Sequence, residues 1–510
     1  MKTSNTDHVF GYVLEVLTTG LYPNNLDIIR EYIQNGYDAI KNLRELGVRG
    51  TEEIRIKIEN NSIIIHDTGI GMDRNTVEKY RYFGYSEKIT TKNTGFRGIG
   101  KLAGLSVAND LEVITTKYGV PYQYKIMFSA SRMLKKVIEG KKVGENYPLN
   151  ELIKEHTIIE EYPEQSNSHY TQVILHDIKE DANDLLNIER VQNYIAEVMP
   201  IEFQKEQFTL GSIISEKLVD NLTDYKTIEI FLNNKKIFKP YSNSDGLSGL
   251  RFFEVFDEES SNQKLLAYGW VTKNGNNSKA IQNDLVKNVR LFYKGFRIGS
   301  NDLITNALFS SGRQFLSSWF AGEIYVFDEE LIPTSARDNF ESNSARKKLY
   351  QNLREKIGKN LDKIANQTSQ NNSVHKEIDK SNKLLESINN LKELIPMEVV
   401  SLKKKEIEER VSTLEKKINN NKNNLTGETE KKAKEVLVNL KKQKKAIKDL
   451  EQNKEEYVEI NFSQKEKQVY DIMIKSIKTF FKKNKLENEE ELLSYAYSKL
   501  EKVFGIKKLK

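Results

Sequence analysis

The chain of 510 residues contains no cysteine. That excludes disulfide staples, thiolate zinc sites and cysteine nucleophiles, and it fits a cytoplasmic setting. Proline is scarce, with 8 residues, and tryptophan scarcer still, with 2. Long apolar runs are missing as well. The longest, such as Ile63–Ile65, fall far short of the roughly 18 residues that span a bilayer, so no membrane partner is expected. The opening MKTSNTDHVF has no basic patch followed by an apolar stretch and does not read as a secretory signal. Charge, by contrast, is plentiful. Charged residues make up 30% of the chain against 38% hydrophobic, the balance of a protein with a large charged surface. A chain this long exceeds a single core, and about two to four domains are expected.

The net charge of +6 is unevenly placed. Residues 401–510 carry 28 Lys and Arg against 19 Asp and Glu, which leaves the first 400 residues slightly acidic. A nucleic-acid contact is therefore to be sought in the C-terminal region, although a solvated helical face has the same composition.

Along the chain, residues 1–182 alternate helical patterns with short β-rich runs. Ile54–Glu59 and Ser62–Asp67 flank Asn60 and Asn61, the composition of a hairpin turn. Leu111–Tyr118, Tyr122–Phe128 and Thr171–His176 are further strand candidates, giving an α+β sandwich. Residues 183–345 read as a second α/β unit with strands Thr227–Leu232, Leu265–Val271, Val289–Tyr293 and Glu323–Phe327. Residues 346–460 are almost free of proline. Leu384, Leu385, Ile388, Leu391, Leu394 and Ile395 recur at helical spacing, and Ala433, Val436, Leu437, Leu440 and Ile447 do so again. These predict a helical hairpin that turns at Asn419–Gly427, too irregular for a strict heptad coiled coil. Residues 461–510 suggest a small helical cap.

Three segments carry candidate chemistry. In Leu26–Ile40, Glu31, Asn35 and Asp38 stand at i, i+4 and i+7, so a helix projects all three from one face. A carboxamide is a neutral hard ligand for Mg²⁺, and a carboxylate can orient or deprotonate water. The wet side of any helix looks similar, and spacing alone does not separate the two. In Ile63–Met72, Asp67 ends a strand before Gly69 and Gly71. Asp67 can accept from an exocyclic amine such as that of adenine, the glycines let backbone approach a flat ring, and Met72 offers an apolar wall. An ordinary glycine turn is the alternative. In Thr94–Gly104, Gly95, Gly98 and Gly100 precede a helical run whose free amides can hold phosphate oxygens, with Arg97 and Lys101 adding charge. The segment has neither the acidic partner of a dinucleotide-binding fold nor the Gly-Lys-Ser/Thr of a P-loop.

In this order and spacing, the three segments resemble the boxes of the GHKL ATPases, the superfamily of DNA gyrase, the ninety-kilodalton heat-shock chaperones, MutL and histidine kinases. The likeness covers residues 10–180, with Thr171 matching a strand threonine of that family. It implies a GHKL (Bergerat) α/β sandwich ATPase domain with an N-terminal strap and ATP lid, a transducer-like middle domain, and an α-helical, partly coiled-coil C-terminal region. It further implies ATP and Mg²⁺ as ligands. Glu31 would be the general base, Asn35 the Mg²⁺ ligand and Asp67 the adenine acceptor supported by Thr171. Asp38, Gly69, Gly71 and Met72 would complete the nucleotide pocket, and Gly95, Phe96, Arg97, Gly98, Ile99, Gly100 and Lys101 would cradle the phosphates.

Arg30 beside Glu31 is similar to the Arg-Glu pair of the heat-shock chaperones. Phe83–Lys88 resembles the lid of MORC-type ATPases, in which Ser86 and Lys88 would approach phosphate. Pro333–Asn339 resembles the chaperone segment whose arginine reaches the γ-phosphate, which makes Arg337 a catalytic candidate. Its bland alternative is Ser335 as a helix cap with Arg337 exposed. Arg290, Lys294 and Arg297 lie on or beside one strand and are candidates to face phosphate or DNA, though a simple alternating strand explains them equally well. The expected function is an ATP-gated homodimeric clamp, acting on DNA or in bacterial defence. The alternative is a chaperone-like remodeller of a protein client. Either partner would bind through the basic helical region.

Overall fold

The computed structural model describes residues 22–86, 94, 98–222, 225–257, 264–275, 280–389 and 397–452, with eight single positions between 468 and 479. Residues 1–362 form one compact unit and residues 363–510 a second.

The first unit holds two sheets. Helix α1 (Leu26–Glu45) is followed by the hairpin of β1 (Glu53–Glu59) and β2 (Ser62–Asp67). Asn60 and Asn61 at its tip have φ of 48° and 58°. Positive φ at both central residues matches the right-handed twist of the flanking strands, and asparagine tolerates it. After α2 (Arg74–Tyr80) come β3 (Ala108–Thr116), β4 (Tyr122–Ser129), α3 (Ala130–Val143), α4 (Leu149–Glu155), β5 (Thr157–Pro163) and β6 (Tyr170–Ile178). Helices α5 (Ile188–Val198) and α6 (Leu210–Asn221) precede the short strands β7 (Glu229–Leu232) and β8 (Lys235–Lys236). The strand order is β5-β4-β3-β6-β2-β1-β7-β8. Alternation in the strands aims Ile54, Ile56, Ile63, Ile65, Val113 and Val173 at Ile28, Ile29 and Ile33 of α1, all in one core.

One strand stands elsewhere than the sequence suggests. Thr227–Leu232 was expected in the second sheet, yet β7 pairs parallel with β1, Ile54 opposite Ile230. Alternation reveals a strand but not its neighbour, and here Ile230 and Leu232 complete the first core.

The second sheet comprises β9 (Leu247–Phe256), β10 (Leu265–Asn274), β11 (Asn288–Tyr293), β12 (Phe296–Ile298) and β13 (Phe320–Val326), in the order β12-β11-β13-β10-β9. Helices α7 (Asn301–Leu308) and α8 (Ser344–Leu353) accompany it. Strand β9 was not anticipated, because Gly249 and clustered aromatics blur its alternation.

Charge is sealed into the joint between the sheets. Arg290 and Arg297 donate to Glu197 of α5 at 2.9 and 3.2 Å, and Arg290 is 1% exposed, so neither points to solvent or to DNA. Lys239 lies 2.9 Å from Glu323, whose carboxylate also accepts from Tyr241 at 3.1 Å and Tyr325 at 2.6 Å. Burial pulls the Lys239 pKa below the usual lysine value, against the pull of Glu323.

The second unit contains α9 (Lys359–Asn389) for most of its length, α10 (Met397–Asn421) and α11 (Gly427–Gln452). The expected hairpin exists with a different first arm. Its arms are α10 and α11, tied by Lys441–Glu415 at 2.6 Å and Lys444–Glu408 at 3.2 Å. Leu384 lies on the preceding helix and shares a core with Val411, Leu414, Val436 and Leu440. Leu391, Leu394, Ile395 and nearly all of the expected terminal cap fall outside the described residues. Among the described residues, no helix is long and apolar enough to cross a membrane.

Lys239→Met leaves Glu323 buried and uncompensated. It should lower stability by about 3–5 kcal/mol in urea unfolding, with part of the loss recovered by adding Glu323→Gln.

Candidate functional site

Helix α1 presents two faces. Its isoleucines enter the first core, and its Glu31 and Asn35 line a cavity of about 480 Å³. The opposite wall comes from the end of β2 and the turn after it. Asp67 is 8% exposed, and its Oδ1 accepts from the Gly69 amide at 2.9 Å. In the sheet Asp67 stands directly opposite Thr171, and both line the cavity. The Thr171 hydroxyl lies 3.1 Å from that of Thr115, which in turn accepts from the Met72 amide at 3.0 Å. The acceptor at the strand end is thus set within a short chain of threonines and backbone. Gly71, with φ of +70°, also lines the cavity, and any Cβ there would strike the Thr116 carbonyl. Met72 supplies the apolar wall.

The glycine-rich wall leads into a helical run, Gly100–Ser106, a 3₁₀ helix of seven residues. Gly98, Ile99, Gly100 and Lys101 line the cavity, and an added Cβ on Gly100 would collide with the Glu31 carboxylate. Absence of a side chain at residue 100 is what lets Glu31 lie against this segment. The hydroxyls of Tyr32 and Tyr80 hold it from below, donating to the Lys101 carbonyl at 3.4 and 3.0 Å. Lys101 Nζ donates to the carbonyls of Tyr85 at 2.9 Å and Lys79 at 3.2 Å. Burial lowers its pKa to about 8. Ser86 lines the cavity as well, whereas Lys88, Gly95, Phe96 and Arg97 lie outside the described residues.

The second sheet's side of the unit closes the cavity. Pro333, Thr334, Ser335 and Arg337 line it. The helix-cap alternative for Ser335 fails, because α8 begins only at Ser344, capped by Asn343. Arg337 is 7% exposed, has φ of 54°, and donates to the Thr94 carbonyl. Its pKa is lowered to about 10, chiefly by burial and further by Arg30, while Glu31 and Asp38 oppose the shift. It remains charged at neutral pH.

Among the described residues, three of those expected do not line the cavity. Asp38 is 1% exposed and holds Thr94 instead, accepting from its amide at 3.0 Å and its hydroxyl at 2.9 Å. Gly69 lets the turn pack on Ala39, where a Cβ has no room. Arg30 sits behind Glu31. Its guanidinium is 3.0 Å from Asp27 and 3.8 Å from Glu31, and it donates to the Ala336 carbonyl at 3.3 Å. The Arg30–Glu31 pair therefore exists, but Asp27 is the nearer partner. Tyr22, Asn42, Thr115 and Tyr80 were missed in the sequence, since a single tyrosine or threonine has no spacing signature.

Residues 26–157 match the family model described as histidine kinase-, DNA gyrase B- and HSP90-like ATPase. This part of the chain carries a GHKL-type ATPase domain. Among the relatives is "Putative type II restriction enzyme HgiDII" of Herpetosiphon aurantiacus, 34% identical over 123 residues, which are 22% of this chain and 18% of the relative. The chaperone protein HtpG of Acinetobacter baylyi is 26% identical over 222 residues, 38% of this chain and 31% of the relative. HtpG of a Sulfurovum species is 29% identical over 142 residues, 23% of each chain. The chain thus spans between 18% and 31% of the length of these relatives. The match supports nucleotide binding by this domain. The rest of each relative's activity does not.

Two outcomes test the site. Asp67→Asn replaces one acceptor by a donor, and calorimetry should show ATP affinity falling by about 1.5–3 kcal/mol or more; native affinity would remove Asp67 from the site. Lys101 is half-neutral near pH 8, and bound phosphate favours its charged form. Binding should then take up a proton, and affinity should fall as pH rises through about 8. Calorimetry in buffers of different ionisation enthalpy reads this directly, and Lys101→Met should abolish the uptake.

Proposed function

We propose that the protein hydrolyses ATP with Mg²⁺ and uses the cycle to open and close a two-chain clamp on a nucleic acid. What carries the hydrolytic reading is the presence of Glu31 and Arg337, remote in sequence, on the wall of one cavity with Asp67 and Lys101. The Glu31 carboxylate takes the proton of the attacking water, while Arg337 and Lys101 face the charge that develops as phosphate leaves ADP. Asp67 holds the exocyclic amine of the base, and Thr171 supports it.

The donor set fits a metal that arrives with the nucleotide. Among the described residues, no three His, Cys, Asp or Glu side chains are grouped to hold an ion by themselves. Asn35 on the cavity wall offers one neutral oxygen, and phosphate oxygens and water complete such a shell. When bound, Mg²⁺ neutralises phosphate charge.

The partner reading rests on the far end of the α10–α11 hairpin. Lys405, Lys442, Lys445 and Lys448 are exposed there, and the last three have no carboxylate partner among the described residues. A row of unneutralised ammonium groups suits a phosphate backbone. Dimer closure would involve the N-terminal strap of residues 1–25, of which only residues 22–25 are among those described. The second reading is chaperone-like remodelling of a protein client, favoured by the 222-residue likeness to HtpG and by the placement of Arg337.

One measurement separates them: ATP turnover with and without duplex DNA at two salt concentrations. Stimulation that fades with salt supports the clamp, because phosphate contacts release counterions. DNA without effect on turnover favours the protein-client reading. Glu31→Ala should bind ATP almost normally and turn over about a hundredfold more slowly or worse; native turnover would mean that another group handles the water.

A further inference from the structure

Gln34 is buried on α1 for no evident structural gain. It is 1% exposed, and its Nε2 and Oε1 both lack a hydrogen-bond partner. Buried polar atoms left unpaired are costly, so folding alone favours an apolar side chain at this position. Its place on the helix sets its neighbours along the chain. Arg30, Glu31, Gln34 and Asp38 fall along one side of α1 at spacings of three and four. One turn before Gln34, Arg30 donates to the Ala336 carbonyl at 3.3 Å. One turn after it, Asp38 holds Thr94, whose hydroxyl also reaches the Gln34 carbonyl at 3.4 Å.

Arg337 lies against the same stripe. It donates to Thr94, and the charges acting on it are those of Glu31, Arg30 and Asp38, on either side of Gln34. Its φ of 54° is unfavourable for an arginine, so the 333–339 segment keeps this shape through its contacts rather than by preference.

We propose that Gln34 is a positioning residue for Arg337: its amide oxygen is a second acceptor for the guanidinium, taken up when phosphate draws Arg337 from the Thr94 carbonyl. The inference rests on the hydrolytic reading above. A planar guanidinium has five N–H donors and keeps a fixed direction only when several are engaged. A neutral amide suits the task because it aims the fork without neutralising it. A carboxylate at the same place would hold Arg337 as an ion pair and compete with phosphate. The orphaned atoms are thus retained for turnover and not for the fold.

Gln34→Met removes the acceptor at nearly constant length, and Gln34→Leu removes it with a different shape. With the full chain, both should melt no earlier than wild type and bind ATP with nearly native affinity. Turnover should fall about ten- to a hundredfold, the scale of a misaimed group. In an Arg337→Ala background, Gln34→Met should cause no further loss. Native turnover in both Gln34 variants overturns the proposal, as does early melting of both, which would make the amide structural. Full extra loss in the Arg337→Ala background overturns it too. If Arg337→Ala itself turns over at the native rate, the failure lies with the hydrolytic reading instead.

Discussion

Arg337 donates to the carbonyl of Thr94, and the amide and hydroxyl of Thr94 are held by Asp38 at 3.0 and 2.9 Å. Through this chain a charge from beyond the second sheet is fixed to the helix that bears Glu31. A buried guanidinium demands acceptors, and the turn after β13 supplies few of its own. The demand is met by α1 and the residue it holds, so the cavity's two walls are set by one network. Arg30, bonded to the Ala336 carbonyl, adds a second strut between the same parts.

The rest of the first unit keeps this network in register. The buried Lys239–Glu323 pair and the Glu197 bridge to Arg290 and Arg297 fix the second sheet against α5 and the strand segment around β8. Buried ion pairs seldom add much stability compared with apolar packing, but they tolerate few alternative arrangements. That is the property a site shared by two sheets requires.

What could be read in advance was local. Asn60-Asn61 announces its own turn, and Glu31, Asn35, Asp67 and Lys101 sit on segments whose spacing is visible in any window of a dozen residues. What could not be read depends on which parts meet. Asp38 shares the spacing of Asn35, yet its carboxylate is engaged by the amide and hydroxyl of Thr94. The hairpin's arms were mispaired because Leu384 and Leu414 carry the same apolar period, and periodicity does not say which helix packs on which. Gln34 bore no signal at all, since its interest comes wholly from what surrounds it.

The parallel pairing of β7 with β1 has a practical side. The chain leaves the first core after α5, contributes Phe203, Phe208 and Leu218 to the second, and returns with Ile230 before crossing again. A fragment ended at β6 would strip β1 of its β7 neighbour and leave a bare row of amides and carbonyls. Such an edge recruits other strands. Anyone isolating the nucleotide-binding part by itself should cut after Ile237, or expect inclusion bodies.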